Sequence, residues 1–341
     1  MASPLSSKKP NPLFRSNKAS LGLRNPKLSV APKEVNLRSG ELYCSDLTKV
    51  YSESGGKRAL DSVSLTIPSR GILALIGMNG AGKTTLVRIL ATQLEPTSGI
   101  VQIDGVDVVK EPKKLRERIA TVPQEARPVP WMTPLQTVVS YLLWRGIGYS
   151  EARRRGAEAI GKVGLDDQGT KLNRRLSGGQ RRKVLVATAL AADAEITFLD
   201  EPTTGLDPLS RRELWRSLHD LAKERFLVLT THYLEEAEQL ADTIAILDDG
   251  RLAGVGTLDQ LRSLVKHQYS IRLPSSPERP PVTEGTVTTG RDGEIQVLTS
   301  EEEAYRISRE LLERGVRFSV NRISLDDVFF HLVGSAGVPR Q

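Results

Sequence analysis

Apolar positions follow two rhythms along this chain. Short unbroken runs at 72–76, 196–199, 226–229 and 244–247 read as strands buried on both faces of a parallel sheet. Apolar positions at helical spacing fill 135–145, 151–163 and the stretch from Ser177 through Leu190. Looser alternation at 42–50 and 60–67 predicts two half-buried strands near the start. The run 100–103 followed by Asp104-Gly105 predicts a hairpin, and 244–247, Asp248-Asp249-Gly250 and 252–255 a strand, turn and strand. Strands alternating with helices predict an α/β frame, with residues 125–192 as a helical insertion.

From Lys266 the pattern changes. Strands are expected at 269–273, 295–298 and 316–320, with an amphipathic helix at 301–314 and a short helix at 325–332. Residues 274–281 are proline-rich and read as a loop. This is a small α+β accessory domain without a cluster of chemistry-bearing residues. No internal repeat covers the chain.

The buried run at 72–76 leads into Gly77, Met78, Asn79, Gly80, Ala81, Gly82, Lys83, Thr84 and Thr85, which fill the pattern G-x-x-x-x-G-K-[ST] and open a helix. Glycines let backbone N–H groups wrap a polyphosphate closely, and the helix start adds positive potential. A lysine and a hydroxyl at those places reach the outer phosphates and Mg²⁺. A strand before and a helix after separate this run from a chance glycine-rich turn.

Other candidates lie downstream. Ser177 is a good N-cap beside Gly178, Gly179 and Gln180, so this helix start is either simply capped or a second anion site. Asp200-Glu201 closes a buried strand, at the edge where α/β sheets bind ligands. Adjacent strand residues point to opposite faces, which predicts separate roles, one toward a metal and one toward an attacking water. Asp207 precedes Pro208 as an N-cap before a first-turn proline. His232 ends another strand on the Asp200 edge, whereas His219, His267 and His331 have no such setting. Tyr51 taken alone is a surface aromatic at a strand end.

Composition narrows the class. The chain of 341 residues is 39% hydrophobic and 26% charged, ordinary for about two globular domains. Its net charge of +7 points toward nucleic acid until the charge is located. Residues 1–33 hold seven Lys or Arg and no acid, so the rest of the chain is neutral. The excess belongs to a basic segment, residues 1–39, read as disordered. That segment is a solvated tail, a contact for anionic lipid or a targeting peptide, the plain tail being the favoured reading. The single cysteine, Cys44, forms no internal disulfide, which is compatible with a reducing compartment. No apolar run approaches membrane-spanning length, so work at a membrane needs another chain to cross it.

The ordered set of phosphate loop, Gln124, Leu176-Ser177-Gly178-Gly179-Gln180, Asp200-Glu201, Asp207 and His232 resembles the ATP-binding cassette (ABC) ATPases over residues 40–265. The resemblance implies a P-loop cassette with a RecA-like core, an antiparallel β subdomain and a helical subdomain. It implies that Tyr51 stacks on adenine and that Gly77 through Thr85 hold the phosphates of ATP. Thr84, Gln124 and Asp200 would hold Mg²⁺, Glu201 would be the catalytic base and His232 would contact the γ-phosphate. Ser177, Gly178, Gly179 and Gln180 would serve the ATP of a second nucleotide-binding subunit, a homodimer being permitted by the complete motif set, and Asp207 would link the two sites. The run 323–332, Ile-Ser-Leu-Asp-Asp-Val-Phe-Phe-His-Leu, is similar to the end of the daunorubicin-resistance type of drug-exporter ATPases. These carry a C-terminal domain, here 266–341, and pair with a separate transmembrane permease. Drug efflux, a peripheral place on the cytoplasmic face of the membrane and no nucleic-acid partner follow as expectations.

Rival readings are a soluble cassette in translation control or DNA maintenance, and a non-hydrolysing regulator. A single cassette, the absence of sustained heptads between Lys83 and Leu176, and the presence of Glu201 and His232 each weigh against them. Trp131, Tyr141 and Trp144 cluster in the helical insertion, either as a groove for a partner helix or as ordinary core.

Overall fold

The computed structural model describes residues 40–52, 55–274, 285–289 and 294–334. The basic segment 1–39 and most of the proline-rich stretch 274–281 lie outside these residues. β1 (Glu41–Tyr51) and β2 (Lys57–Pro68) pair antiparallel, with Tyr51 opposite Lys57. β3 (Gly71–Ile76) runs into the phosphate loop and α1 (Lys83–Leu90). β4 (Ser98–Ile103) returns to β1, and β5 (Val106–Asp107) completes a sheet of order β2-β1-β4-β5. After α2 (Pro112–Arg116) and β6 (Ile119–Val122) come three helices, α3 (Pro134–Trp144), α4 (Tyr149–Lys162) and α5 (Gly178–Ala191).

β7 (Ile196–Asp200), α6 (Pro208–Ala222), β8 (Phe226–Thr231), α7 (Leu234–Leu240), β9 (Thr243–Asp248) and β10 (Arg251–Gly256) finish the central sheet. Its order is β10-β9-β3-β8-β7-β6, and all neighbours are parallel except β10 on β9. Parallel alignment sends the ends of β3, β8, β7 and β6 to one edge. Alternate residues of β3 face two different cores. Ile72, Ala74 and Ile76 join the helical layer, and Leu73 and Leu75 join the layer under the antiparallel sheet. The unbroken apolar run arises because both faces are covered.

α8 (Leu258–Ser263) leads to a third sheet, β12-β13-β11-β14, built from β11 (Tyr269–Leu273), β12 (Thr286–Thr289), β13 (Ile295–Thr299) and β14 (Ser319–Arg322). The amphipathic α9 (Glu301–Glu313) buries Ala304, Ile307 and Leu311 against Ile271, Leu273 and Val297 of that sheet. The strand expected at 316–320 sits instead at Ser319–Arg322, because Val316 and Phe318 turn into the small core while the polar segment after them pairs with β11. The closing helix α10 (Leu325–Phe329) ends earlier than expected, passing into a π turn at Phe330–Gly334. The side chain of Asp327 in α10 accepts from Arg272 (3.0 Å) and from the Ser324 backbone (2.8 Å), tying α10 to β11. The pattern does not predict α2, β6, α7, α8 or β12; each is short and has no sustained periodicity.

The aromatic trio of the helical insertion divides between surface and core. Trp131 is 72% and Trp144 83% exposed, while Tyr141 packs against the helical core. Cys44 is buried and unpaired, and burial pushes its thiol up to about 12, so it stays protonated.

Candidate nucleotide site

Four loops leave the same sheet edge side by side. The phosphate loop follows β3, His232 follows β8, Asp200 and Glu201 close β7, and Gln124 stands just after β6. The strand order alone therefore gathers residues far apart in sequence.

The phosphate loop is shaped by backbone. Gly82 has φ +102° and caps α1 without any side-chain hydrogen bond, so the first N–H groups of the helix have no side-chain cap. A Cβ at Gly82 would collide with the Ala59 carbonyl, so only glycine fits. A Cβ on Gly80 would meet open space, because that residue borders a cavity. Lys83 is buried and donates to the carbonyls of Gly77 (2.7 Å) and Met78 (3.1 Å), which curls the loop over its own ammonium group. Burial pulls the Lys83 pKa down, and the charges of Glu201 and Asp200 partly restore it. Ala81 is buried, and its carbonyl accepts from Gly250, which anchors the loop to the turn after β9.

A cavity of about 430 Å³ opens over this loop. Asn79, Gly80, Gly82, Lys83, Thr84 and Thr85 form its floor, and Tyr51 and Lys57 stand at one end. At the other end are Gln124 and Glu201. The Tyr51 hydroxyl lies 3.5 Å from Thr85 Oγ1, and Lys49 Nζ sits 5.5 Å from the Tyr51 ring centroid. Thr84 Oγ1 is 3.4 Å from Asp200 Oδ1, and Thr230 Oγ1 donates to the same carboxylate oxygen.

Glu201 is the meeting point. Gln124 Nε2 donates to Glu201 Oε2 (3.0 Å), Thr204 Oγ1 donates to the same oxygen (3.0 Å), and His232 Nδ1 is 3.2 Å from Oε1. The expected opposite orientation of Asp200 and Glu201 is not how the two are separated. Glu201 leaves the strand with φ +53°, a left-handed conformation uncommon outside glycine. Its amide is held there by the Thr230 carbonyl (3.1 Å) and hydroxyl (3.0 Å). Both carboxylates therefore reach the same site.

The signature residues stand apart from this cavity. Ser177 caps α5 by a reciprocal pair: its Oγ accepts from the Gln180 N–H (3.1 Å), and Gln180 Oε1 accepts from the Ser177 N–H (3.0 Å). Ser177 and Gly178 are exposed. A Cβ on Gly179 would lie 2.9 Å from Leu206 Cδ2 and 3.1 Å from the Gly205 carbonyl. Asp207 is exposed and caps α6 through the Ser210 N–H (2.9 Å), a bond that lowers its pKa.

Four residues at this site escaped the sequence reading: Thr230, Thr204, Lys57 and Arg182. Arg182 is 7% exposed, and it donates to the Pro123 carbonyl (3.0 Å) and to the Asp200 carbonyl. It joins α5 to the ends of β6 and β7. The basic run after the signature was visible, but nothing in its spacing marks which residue turns inward.

The ABC transporter family matches residues 60–204. The daunorubicin/doxorubicin resistance ATP-binding protein DrrA of Streptomyces peucetius is 38% identical over 308 residues, covering 85% of this chain and 91% of that protein. The chain belongs to the ABC transporter ATP-binding proteins. As such it is an ABC ATPase, of the kind whose hydrolysis is coupled to transport. A doxorubicin resistance DrrA of Mycobacterium tuberculosis is 39% identical over 206 residues, 60% of this chain and 62% of that one. Among solved structures, a dimeric ATP-binding cassette in a post-hydrolysis state, bound to ADP and Pi, superposes with a TM-score of 0.59 at 27% identity. That match covers 63% of this cassette chain and 98% of the solved one. Among the described residues no helix is long and apolar enough to cross a membrane.

Proposed function

We propose that this cassette hydrolyses Mg²⁺-ATP between two copies of itself and so drives a separate membrane-spanning permease in export, with drug efflux as the class of transport. The observation that carries the reading is the convergence of Gln124, Thr204 and His232 on Glu201 beside the open cavity of the phosphate loop. The residues fit a hard divalent cation, since Thr84 and Asp200 present only oxygen donors, as does the side-chain carbonyl of Gln124. When bound, Mg²⁺ would neutralise charge on the β- and γ-phosphates.

This chain's own residues do the rest. The phosphate loop from Gly77 to Thr85 binds the triphosphate, and Lys83 exchanges its carbonyl partners for phosphate oxygens. Tyr51 stacks on adenine. Glu201 takes a proton from the water that attacks the γ-phosphorus, Gln124 orients that water, and His232 steadies the γ-phosphate. Ser177 and Gly179 of the second copy close over the γ-phosphate, and Asp207 lies where two such sites would meet. Loss of the γ-phosphate removes the bridge and opens the pair.

Trp131 and Trp144 are exposed on the helical layer, which supports that face as the permease contact, with the protein at the cytoplasmic face of the membrane. The boundaries 40–265 for the cassette, 125–192 for its helical part and 266–341 for the accessory domain complete the proposal. The names of the DrrA relatives support drug efflux. The test is Glu201→Gln, which should keep ATP binding and lower turnover by about 10²–10⁴-fold. Normal turnover by that variant removes Glu201 from the role of base.

A further inference from the structure

A second cavity, of about 300 Å³, lies on the far side of Glu201. It shares Gln124 and Glu201 with the nucleotide cavity and is bounded by Gly178, Thr204 and Gly205. Three guanidinium groups line it: Arg127, Arg181 and Arg182. Among the described residues, their hydrogen bonds go to backbone carbonyls rather than to carboxylates. Arg127 donates to Ala126 (2.9 Å), Arg181 to Leu176 (2.6 Å), and Arg182 to Pro123 (3.0 Å) and Asp200. Arg182 is buried, and its Nε has no acceptor among the described residues. Burial pulls the pKa of Arg182 down and the nearby charge of Arg127 adds to that, with Asp200 and Glu201 pulling the other way. Asp200 and Glu201 offset the charge of Arg182, whereas Arg127 and Arg181 have no carboxylate partner among the described residues, which leaves this cavity an excess of positive charge.

We propose that this rear cavity is a subsite for inorganic phosphate, entered after cleavage, with Arg127, Arg181 and Arg182 as its donors. The inference rests on Glu201 acting as the base. The chemistry sets the timing. Water gives one proton to Glu201 and its oxygen to the γ-phosphorus, the bond to the ADP oxygen breaks, and HPO₄²⁻ is left beside a neutral carboxyl group. Gln124 and Glu201 border both cavities, so an ion formed beside them passes directly to the three arginines.

The experiment adds inorganic phosphate to the full-length protein during steady-state hydrolysis, followed by ADP formation, with potassium chloride at matched ionic strength as control. Phosphate in the γ-position competes with ATP, whereas phosphate in the rear cavity leaves a component of inhibition that excess ATP does not relieve. The wild type should show that component, and the double variant Arg127→Ala/Arg181→Ala should weaken it at least five-fold while the competitive component persists. Arg127 and Arg181 are not buried, which keeps the variant folded. Purely competitive inhibition in the wild type, an equal effect of chloride, or an unrelieved component that survives the double variant each overturns the subsite. These results are distinct from failure of the base itself, which shows as normal turnover by Glu201→Gln.

Discussion

Two helices in this cassette begin at glycine-flanked turns, and they treat their free N–H groups in different ways. α1 starts at Gly82 with no side-chain cap and opens onto the nucleotide cavity. α5 starts at Ser177 with a reciprocal cap to Gln180 that satisfies the N–H groups of Ser177 and Gln180 and does not engage those of Gly178 and Gly179. The first is a site built and open in a single copy. On the proposed function, the second waits for a phosphate from another copy, which would meet the Gly178 and Gly179 N–H groups beside the cap. On that reading the cassette carries one complete half-site and one waiting half-site.

Variants can separate the two. Lys83→Ala strikes the open half-site and should weaken ATP binding by about 2–5 kcal/mol, the cost of deleting one partner of a desolvated charge pair. Equilibrium nucleotide binding checks it. Ser177→Asp strikes the waiting half-site. Aspartate is as good an N-cap as serine, so the melting temperature should hold, yet its charge faces the partner's γ-phosphate and turnover should fall by about 10²-fold with nucleotide binding intact. Loss of stability in step with activity would instead make Ser177 a cap alone.

Gly179→Ala sharpens the contrast from the packing side. The added methyl must displace Leu206 or the Gly205 backbone, at about 1–3 kcal/mol, measurable by chemical denaturation. Glu236 gives a smaller, pH-dependent effect. Burial raises its pKa, and the side chains of Thr231, Thr203 and Trp215 only partly offset this. A carboxyl whose folded pKa is raised binds its proton more tightly when folded, so its stability contribution is full below the unfolded value and is lost as pH rises through the folded one. Glu236→Gln should therefore stabilise the protein at pH 7, with the gain vanishing below about pH 4. The Trp215 bond to Glu236 Oε1 (3.1 Å) is one that glutamine can also accept. Trp144→Ser should change stability by no more than about 0.5 kcal/mol, because the ring is exposed. It should still reduce co-purification with the proposed membrane subunit.

Much of this site was legible because its pieces are local. A phosphate loop between a buried strand and a helix, or a serine three residues before a glutamine at a helix start, declares itself within a few positions. The partners of Glu201 were legible only as separate residues, since their meeting depends on the order β3-β8-β7-β6, which no local pattern states. Thr230 and Arg182 were missed for a related reason. Thr230 accepts from the Glu201 backbone N–H and Arg182 donates to the Pro123 and Asp200 carbonyls, and such backbone partners leave no mark in the sequence. The left-handed turn at Glu201 was also hidden, because it falls on a residue type that seldom adopts it. In the accessory domain, Val316 and Phe318 mimic a strand by alternation, while the true strand β14 is an exposed polar edge held by pairing with β11.

The division between an open and a waiting half-site is tested most directly by turnover per chain as the protein is diluted, with sedimentation of the same samples to measure the pair. Activity per chain should fall in step with the dimer fraction, and Glu201→Gln with ATP should remain paired at concentrations where the wild type has separated. Constant activity per chain in samples that sediment wholly as monomer would contradict the account.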